Sequence, residues 1–194
     1  MITAHSYAAP RVVMVLGDSL SAGYGLARGE GWVDLLQTRL NERNTNVRVV
    51  NASISGDTTD GALTRLPAAL QTHRPNIVIV ELGANDGLRG QPIAKMHGNL
   101  IAIANQCRRA GAKVLMVGMQ LPPNYGPAYT EQFARTYPTV SEHLKLQLVP
   151  FFFAGIADNR SYFQADQLHP NAKAQPILLE NVWAELQPLL TNPN

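Results

Sequence analysis

The sequence has only one cysteine, Cys107, among its 194 residues. A single cysteine excludes an internal disulfide and a cysteine zinc cluster, but one thiol does not settle the redox compartment. Cys107 shares a helical spacing with apolar residues such as Leu100 and Ile103. This pattern favours a buried core cysteine over a catalytic nucleophile.

Charge is also scarce, at 15% of the residues, and no run of one sign occurs. Sixteen basic and fourteen acidic residues give a net charge of +2, and Arg108 and Arg109 are the only adjacent pair of cations. Without a basic run or RNP-like aromatic residues, nucleic acid is not an expected partner. The apolar content of 45% is typical of a folded globular enzyme.

Long hydrophobic runs are missing, so no transmembrane segment is predicted. The first ten residues, MITAHSYAAP, lack the apolar run that a signal peptide needs. Either the protein is cytosolic or a leader has already been removed. With no linker or internal repeat, we predict an N-terminal extension over 1–10, a single domain over 11–190 and a C-terminal tail over 191–194.

Short apolar runs alternate with amphipathic stretches along the chain. The runs predict buried strands at Val12–Leu16, Val47–Ala52, Ile77–Leu82, Val114–Met119 and Leu148–Phe152. The amphipathic stretches predict helices at about Trp32–Asn41, Thr59–Thr72, Pro92–Ala110, Tyr129–Gln147 and Asn171–Leu190. This alternation predicts an α/β fold with a five-stranded parallel sheet and helices on both faces.

Polar clusters follow four of the predicted strands, and the carboxyl ends of parallel strands meet at one edge of a sheet. The clusters are GDSLSAG after the first strand, SISGDT after the second, GANDG after the third and DQLHP after the fifth. We therefore expect four distant segments to converge on one cleft.

Ser19 in the first cluster is a candidate nucleophile. A serine hydroxyl needs a neighbouring base, and His169, with Asp166 three residues earlier, supplies an imidazole that a carboxylate can orient. The alternative is that Asp166 caps the following helix and His169 is an ordinary loop residue. The five histidines never pair at a ligand spacing such as H-E-x-x-H, so no metal is predicted.

Acyl transfer also needs donors for the developing oxyanion. The backbone amides of Ser19 and Gly56 and the side-chain amide of Asn85 are candidates. The alternatives are a turn glycine with positive φ for Gly56 and an asparagine bonded to its own loop for Asn85. For Asp18 and Asp86, beside these positions, we expect hydrogen bonds to backbone amides that hold the Ser19 and Asn85 loops.

Together the blocks GDSLSAGYG, SISGDTT, GANDG and DQLHPN resemble the SGNH hydrolase family, also called GDSL esterases. The similarity is greatest to a bacterial subgroup of multifunctional thioesterases, proteases and lysophospholipases, also described as arylesterases, and extends from about Arg11 to Leu190. The resemblance implies a flavodoxin-like three-layer α/β/α fold and catalysis without metal or cofactor. It also implies a Ser19, His169 and Asp166 triad with an oxyanion hole of Ser19, Gly56 and Asn85.

The loop LPPNYG after the fourth strand should rim the cleft. Leu121 and Pro122 are candidate contacts for an acyl chain, partly because relatives carry similar residues there. The alternative is that they only pack within the loop.

The expected reaction is hydrolysis of aryl and short to medium acyl esters, of acyl thioesters and of lysophospholipids through an acyl-enzyme. One alternative is a carbohydrate O-acetyl esterase, and another is a non-catalytic lipid or carbohydrate binding module on the same scaffold. The expected partner is a small acyl substrate, and a monomer is favoured. Because relatives are commonly exported, a periplasmic or secreted protein without its leader is expected, with a cytoplasmic one as the alternative.

Overall fold

The structure is a computed structural model, and it describes residues 9–191. It contains five strands: β1 (Arg11–Gly17), β2 (Val47–Asn51), β3 (Ile77–Glu81), β4 (Lys113–Val117) and β5 (Gln147–Val149). All four pairings are parallel, and the strand order is β2-β1-β3-β4-β5. This is the flavodoxin-like order, so the predicted parallel α/β sheet is confirmed.

Seven α-helices surround the sheet in the described part of the chain. They are α1 (Ser19–Ala22), α2 (Trp32–Glu42), α3 (Thr59–His73), α4 (Ala84–Leu88), α5 (Ile93–Arg109), α6 (Pro127–Leu144) and α7 (Gln175–Thr191). Helix α2 packs against α7, whereas α3 packs against α5 and α5 against α6. These two groups are the outer layers of the three-layer fold. Between residues 9 and 191 no helix is long and apolar enough to span a membrane.

The core lies between the sheet and these helices. Every residue of β3 is buried, and β1 is buried from Val12 onward, as expected for strands covered on both faces. Cys107 in α5 is fully buried, and burial raises the pKa of its thiol to about 12. The prediction of a core cysteine is confirmed, because a thiol in this setting is not ionised at neutral pH.

In the carboxyl-terminal part of the chain, the bounds of the helices and of the last strand differ from the predicted ones. Helix α6 ends at Leu144 because Lys145 adopts a left-handed conformation, with φ of 53°, so β5 begins earlier, at Gln147, than the apolar run suggested. Helix α7 begins at Gln175 rather than Asn171. Asn171 instead donates its side-chain amide to the carbonyls of Ser161 and Phe163.

The predicted terminal segments lie mostly beyond the part of the chain that the structure covers. Residues 1–8 of the predicted extension and residues 192–194 of the predicted tail are outside the described residues. The boundaries of the domain therefore stay a prediction.

The strand order reverses between β1 and β3, and ligands of such sheets bind at the carboxyl ends of the strands beside this point. The segments that carry Ser19 and Asn85 follow β1 and β3 directly. Gly118, after β4, lies against the segment that follows β5, because a Cβ on Gly118 would overlap the carbonyl oxygen of Pro150. The chain after β5 therefore packs tightly against the end of β4.

Candidate active site

Ser19 is the first residue of α1, directly after β1. Gly17, at the end of β1, has no room for a side chain, because a Cβ would lie within 2.9 Å of Ser21 and Ser53 atoms. Asp18 caps the helix by accepting a hydrogen bond of 3.0 Å from the Leu20 amide. The chain therefore turns sharply, and the Ser19 amide lies in the first helical turn, where N–H groups have no intrahelical acceptor.

Two buried carboxyl groups lie beneath this turn. Asp18 is fully buried, and burial raises its pKa to about 6 despite hydrogen bonds from Leu20 and Asn85. Glu81, the last residue of β3, is 2% exposed, and burial together with the neighbouring Asp18 raises its pKa well above the ordinary value. The Ser21 hydroxyl donates to Glu81 Oε2 over 2.6 Å, which ties the nucleophile turn to the sheet.

Asn85 lies in α4, next to this turn. Its Nδ2 donates to Asp18 Oδ2 over 3.0 Å and to the carbonyl of Asp57 over 2.9 Å. The side chain thus joins the polar segments after β1, β2 and β3 rather than bonding its own loop. The Asp86 carboxylate accepts from the backbone amide and the hydroxyl of Thr59, so it ties the Asn85 segment to the start of α3.

Gly56 lies in the turn between β2 and α3 with φ of 80°. This left-handed conformation favours glycine, so the turn reading of Gly56 fits its backbone. Gly56 does not line the cleft described below, but the next residue, Asp57, accepts from Asn85. Among the residues that the structure describes, no acceptor pairs with the amides of Gly56 and Ser19.

Arg65 in α3 fastens the Gly56 turn to the sheet. Its Nε donates to Asp57 Oδ2 over 2.8 Å, and its guanidinium also donates to the carbonyls of Ala52 and Gly17. These carbonyls are at the ends of β2 and β1. One cation therefore fixes the turn relative to the segment that carries Ser19.

His169 and Asp166 lie in the loop before α7. Asp166 Oδ2 is 2.7 Å from His169 Nδ1, and His169 Nε2 is 2.9 Å from Ser19 Oγ. With the proton on Nδ1, the ring donates to the carboxylate and accepts from the serine hydroxyl. The structure therefore brings the three residues into one hydrogen-bonded series.

The Asp166 carboxylate also holds the backbone of this loop. Its Oδ1 accepts from the amides of Leu168 and His169 over 2.9 and 3.0 Å. Burial alone would raise its pKa, but these two amides and the His169 ring lower it to about 2. Asp166 is thus ionised at neutral pH, and it does not cap α7, which begins nine residues later.

A cleft of about 550 Å³ opens beside Ser19 and His169. Its walls come from Asp18 and Asn85 on one side and from the loops after β4 and β5 on the other. The residues of the latter walls include Met119, Leu121, Pro122, Phe151, Phe153 and Phe163. Leu121 and Pro122 therefore lie where the sequence placed them, although Leu121 is only 9% exposed and also packs towards Gly87.

Sequence reasoning missed several residues that shape this site. Glu81 is the one charged residue of β3, IVIVE, and a lone acid in a buried strand was an available signal. Arg65 and Gln164 gave no signal, because each is an ordinary polar residue in its own segment. The side-chain amide of Gln164 donates to the carbonyl of Tyr24, 140 residues away. Its backbone amide donates to the carbonyl of His169.

The chain has close relatives among characterised proteins. It is 53% identical to the esterase TesA of Pseudomonas aeruginosa over 183 residues, which cover 94% of this chain and 91% of the relative. It is 40% identical to thioesterase 1/protease 1/lysophospholipase L1 of Escherichia coli K12 over 185 residues, covering 95% of this chain and 88% of the relative.

A solved structure shows the same fold. The esterase EstA from Pseudoalteromonas sp., inhibited by monoethylphosphonate, superposes with a TM-score of 0.89 at 42% identity, covering 94% of this chain and all of that one. Relatives this similar over most of the chain show its class: the protein is a hydrolase of the esterase and thioesterase kind.

More narrowly, residues 15–176 match the GDSL-like lipase/acylhydrolase family, and the chain belongs to that family. The resemblance predicted from the four sequence blocks is confirmed. The roles of individual residues at the site stay predictions.

Proposed function

We propose that the protein hydrolyses carboxylic esters and acyl thioesters through an acyl-enzyme on Ser19. Ser19 Oγ attacks the acyl carbon while its proton passes to His169 Nε2. The bond to the leaving oxygen or sulfur then breaks, and His169 returns the proton to that atom. Water then attacks the acyl carbon while one of its protons passes to His169. The bond to Ser19 Oγ breaks, His169 returns the proton to that oxygen, and the carboxylic acid is released.

Asp166 orients the base in this scheme. Its carboxylate, 2.7 Å from His169 Nδ1, keeps the proton on that nitrogen and leaves Nε2 free to accept from serine. Once His169 has taken the serine proton, the ionised carboxylate also stabilises the positive ring. The low pKa of Asp166 supports this role, because its carboxylate stays charged at neutral pH.

The amides of Ser19 and Gly56 and the Asn85 side chain form the oxyanion hole in this proposal. The lack of a described acceptor for the two backbone amides supports it. Asn85 Nδ2 already donates to Asp18 and Asp57, so a bound oxyanion must share or replace one of these acceptors. The rigid anchoring of the amide between two fixed oxygens preorganises it, and preorganised donors contribute strongly to such catalysis.

One observation carries the proposal: the continuous series from Asp166 through His169 to Ser19 Oγ at the mouth of a cleft. Ser19→Ala should abolish hydrolysis of p-nitrophenyl butyrate and labelling by a fluorophosphonate, because the attacking oxygen is gone. Ser161→Ala, an exposed loop serine, is the matched control and should retain both. Wild-type turnover by Ser19→Ala would refute the nucleophile.

The proposed substrates are aryl and short to medium alkyl esters, acyl thioesters and lysophospholipids. The apolar side chains along the cleft support an acyl chain as the bound group. The relatives named for esterase, thioesterase and lysophospholipase activities support the same breadth. The cleft also supports a small substrate rather than a macromolecule, and we propose that the protein acts as a monomer.

Leu121 and Pro122 are proposed contacts for that acyl chain. Leu121→Ser should lower kcat/KM for p-nitrophenyl octanoate by about tenfold and for the acetate much less, because only the longer chain loses apolar contact. The measurement is a panel of esters and thioesters graded by chain length. An equal loss on acetate and octanoate would show that Leu121 only packs within its loop.

We also propose that the protein works in the periplasm or outside the cell. The resemblance to a family whose members are commonly exported supports this proposal, and cell fractionation tests it. The protein should be found in the periplasmic fraction of its own cells, with a cytoplasmic enzyme as the marker for leakage. Recovery with the cytoplasmic marker would refute export.

A further inference from the structure

Tyr24 lies against the face of the His169 ring. The two ring centroids are 4.5 Å apart, and the planes are tilted by 39°. Tyr24 is 52% exposed, which makes it one of the few large apolar side chains that the described surface leaves open.

The local backbone is built to present this ring. Gly23 caps the carboxyl end of α1 with φ of 77°, and Gly25 has φ of 71°, so Tyr24 lies between two residues in left-handed conformations. A Cβ on Gly25 would also overlap the Gln164 side chain. Both glycines are therefore required for this short turn to bring Tyr24 back over the site.

Gln164 ties this turn to the histidine loop. Its Nε2 donates to the carbonyl of Tyr24 over 2.8 Å and to that of Pro170 over 3.2 Å. Its own backbone amide donates to the carbonyl of His169 over 2.8 Å. One side chain thus fixes the distance between the segment of Tyr24 and the segment of His169.

The edges of the imidazole are already occupied. Asp166 holds Nδ1 and Ser19 lies at Nε2, but neither contact stops the ring from tilting about the line between its nitrogens. A ring packed on the face of the imidazole restricts that tilt. Tyr24 is the aromatic side chain in contact with His169 within residues 9–191.

We propose that Tyr24 is a positioning residue for His169. Its ring holds the imidazole in the plane that joins Asp166 to Ser19, and its negative face stabilises the imidazolium that forms when serine is deprotonated. The proposal rests on the proposed role of His169 as the base. The ring and not the hydroxyl carries it, since that hydroxyl has no hydrogen-bond partner among residues 9–191.

The kinetic signature is specific. Tyr24 does not line the cleft, so its loss should not weaken substrate binding. Tyr24→Leu keeps an apolar side chain but removes the π face, and should lower kcat for p-nitrophenyl butyrate by about fivefold to tenfold with KM nearly unchanged. Tyr24→Phe keeps the ring and should retain kcat within about twofold.

Two further variants separate the role of Tyr24 from the underlying mechanism and from a general effect of substitution. Gln71→Leu, which places an exposed leucine near the carboxyl end of α3 and away from the site, is the control and should keep wild-type kcat. His169→Gln tests the underlying mechanism and should be inactive. If His169→Gln stays active, the proposed function fails; if it is inactive while Tyr24→Leu turns over like wild type, only the role of Tyr24 fails.

A measurement on the wild type does not depend on the folding of any Tyr24 variant. In its proton NMR spectrum, the carbon-bound ring protons of His169, assigned by their loss in His169→Gln, should be shifted upfield by the Tyr24 ring current. Tyr24→Phe should keep that shift. Signals at the positions of an unstructured histidine, or a Phe variant as slow as the Leu variant, would overturn the proposal.

Discussion

The two halves of the site are held in different ways. On the nucleophile side, Ser19 follows a buried strand, Asp18 below it is fully buried, and Glu81 and Asn85 join it to the sheet. On the histidine side, the side chain of Asp166 is 38% exposed, and its loop is held by hydrogen bonds near the surface, from Asp166 within the loop and from Gln164 to Tyr24. Position comes from the core in one half and from hydrogen bonds near the surface in the other. Substitutions in the first half should therefore lower stability as well as activity. Substitutions in the second half should lower activity with little change in stability.

The sharpest test on the histidine side is Asp166→Asn. The amide should leave His169 in the wrong tautomer and lower kcat by about a thousandfold to ten-thousandfold. The Asp166 side chain is 38% exposed and solvent screens its interactions, so its contribution to stability is small and the thermal midpoint should fall only slightly. Steady-state kinetics and thermal unfolding of the same preparation measure both. A large fall in the midpoint would break the comparison between the two halves.

The counterpart on the nucleophile side is Asn85→Ala. Loss of one oxyanion donor should lower kcat by about a hundredfold to a thousandfold. Asp18, which is fully buried, would also lose a hydrogen-bond donor, so the free energy of unfolding should fall by about 1 to 3 kcal/mol. Urea unfolding beside kinetics checks the pair of effects. If only kcat falls, Asn85 is not part of the structural support of the turn.

The carboxyl groups of the two halves should also respond to pH with opposite signs. Burial raises the pKa of Glu81, so its contribution to stability is lost as pH rises above the ordinary carboxyl range. The pKa of Asp166 is lowered to about 2, so its contribution is present above pH 4 and is lost as pH falls towards 2.

The variant Glu81→Gln isolates the first of these signs. Its stability should fall less than that of the wild type between pH 4 and pH 8, because folding of the wild type requires Glu81 to take up a proton above the ordinary carboxyl pKa, whereas glutamine takes up none. Urea midpoints at several pH values measure this, and Glu142→Gln, on the exposed part of α6, is the matched control. Parallel pH profiles for wild type and Glu81→Gln would mean that the buried acid is fully ionised and compensated.

The main elements of the fold could be predicted from the sequence because their signals are local. The apolar runs gave all five strands, and the rule that parallel strands end at one edge placed Ser19 beside Asn85. The ends of α6 and β5 could not be predicted, because the left-handed backbone of Lys145 has no signature in composition.

The hydrogen-bond partners that hold the site together could not be predicted from the sequence, for a different reason. Ser21 meets Glu81 across 60 residues, and Gln164 meets Tyr24 across 140. Each is an ordinary polar or aromatic residue in its own segment. Only the three-dimensional arrangement shows that these residues hold the nucleophile and the histidine in place.

The separation of 150 residues between Ser19 and His169 has a consequence for synthesis of the protein. Chains are made from the amino end, and early segments begin to fold first. The serine therefore emerges with the first strand, long before its histidine. Helix α7 comes later still, although Gln175 at its start accepts a hydrogen bond from the Trp32 amide in α2. In the proposed mechanism, a growing chain thus carries Ser19 without its base, and it gains reactivity towards acyl groups only after the segment of His169 has been translated.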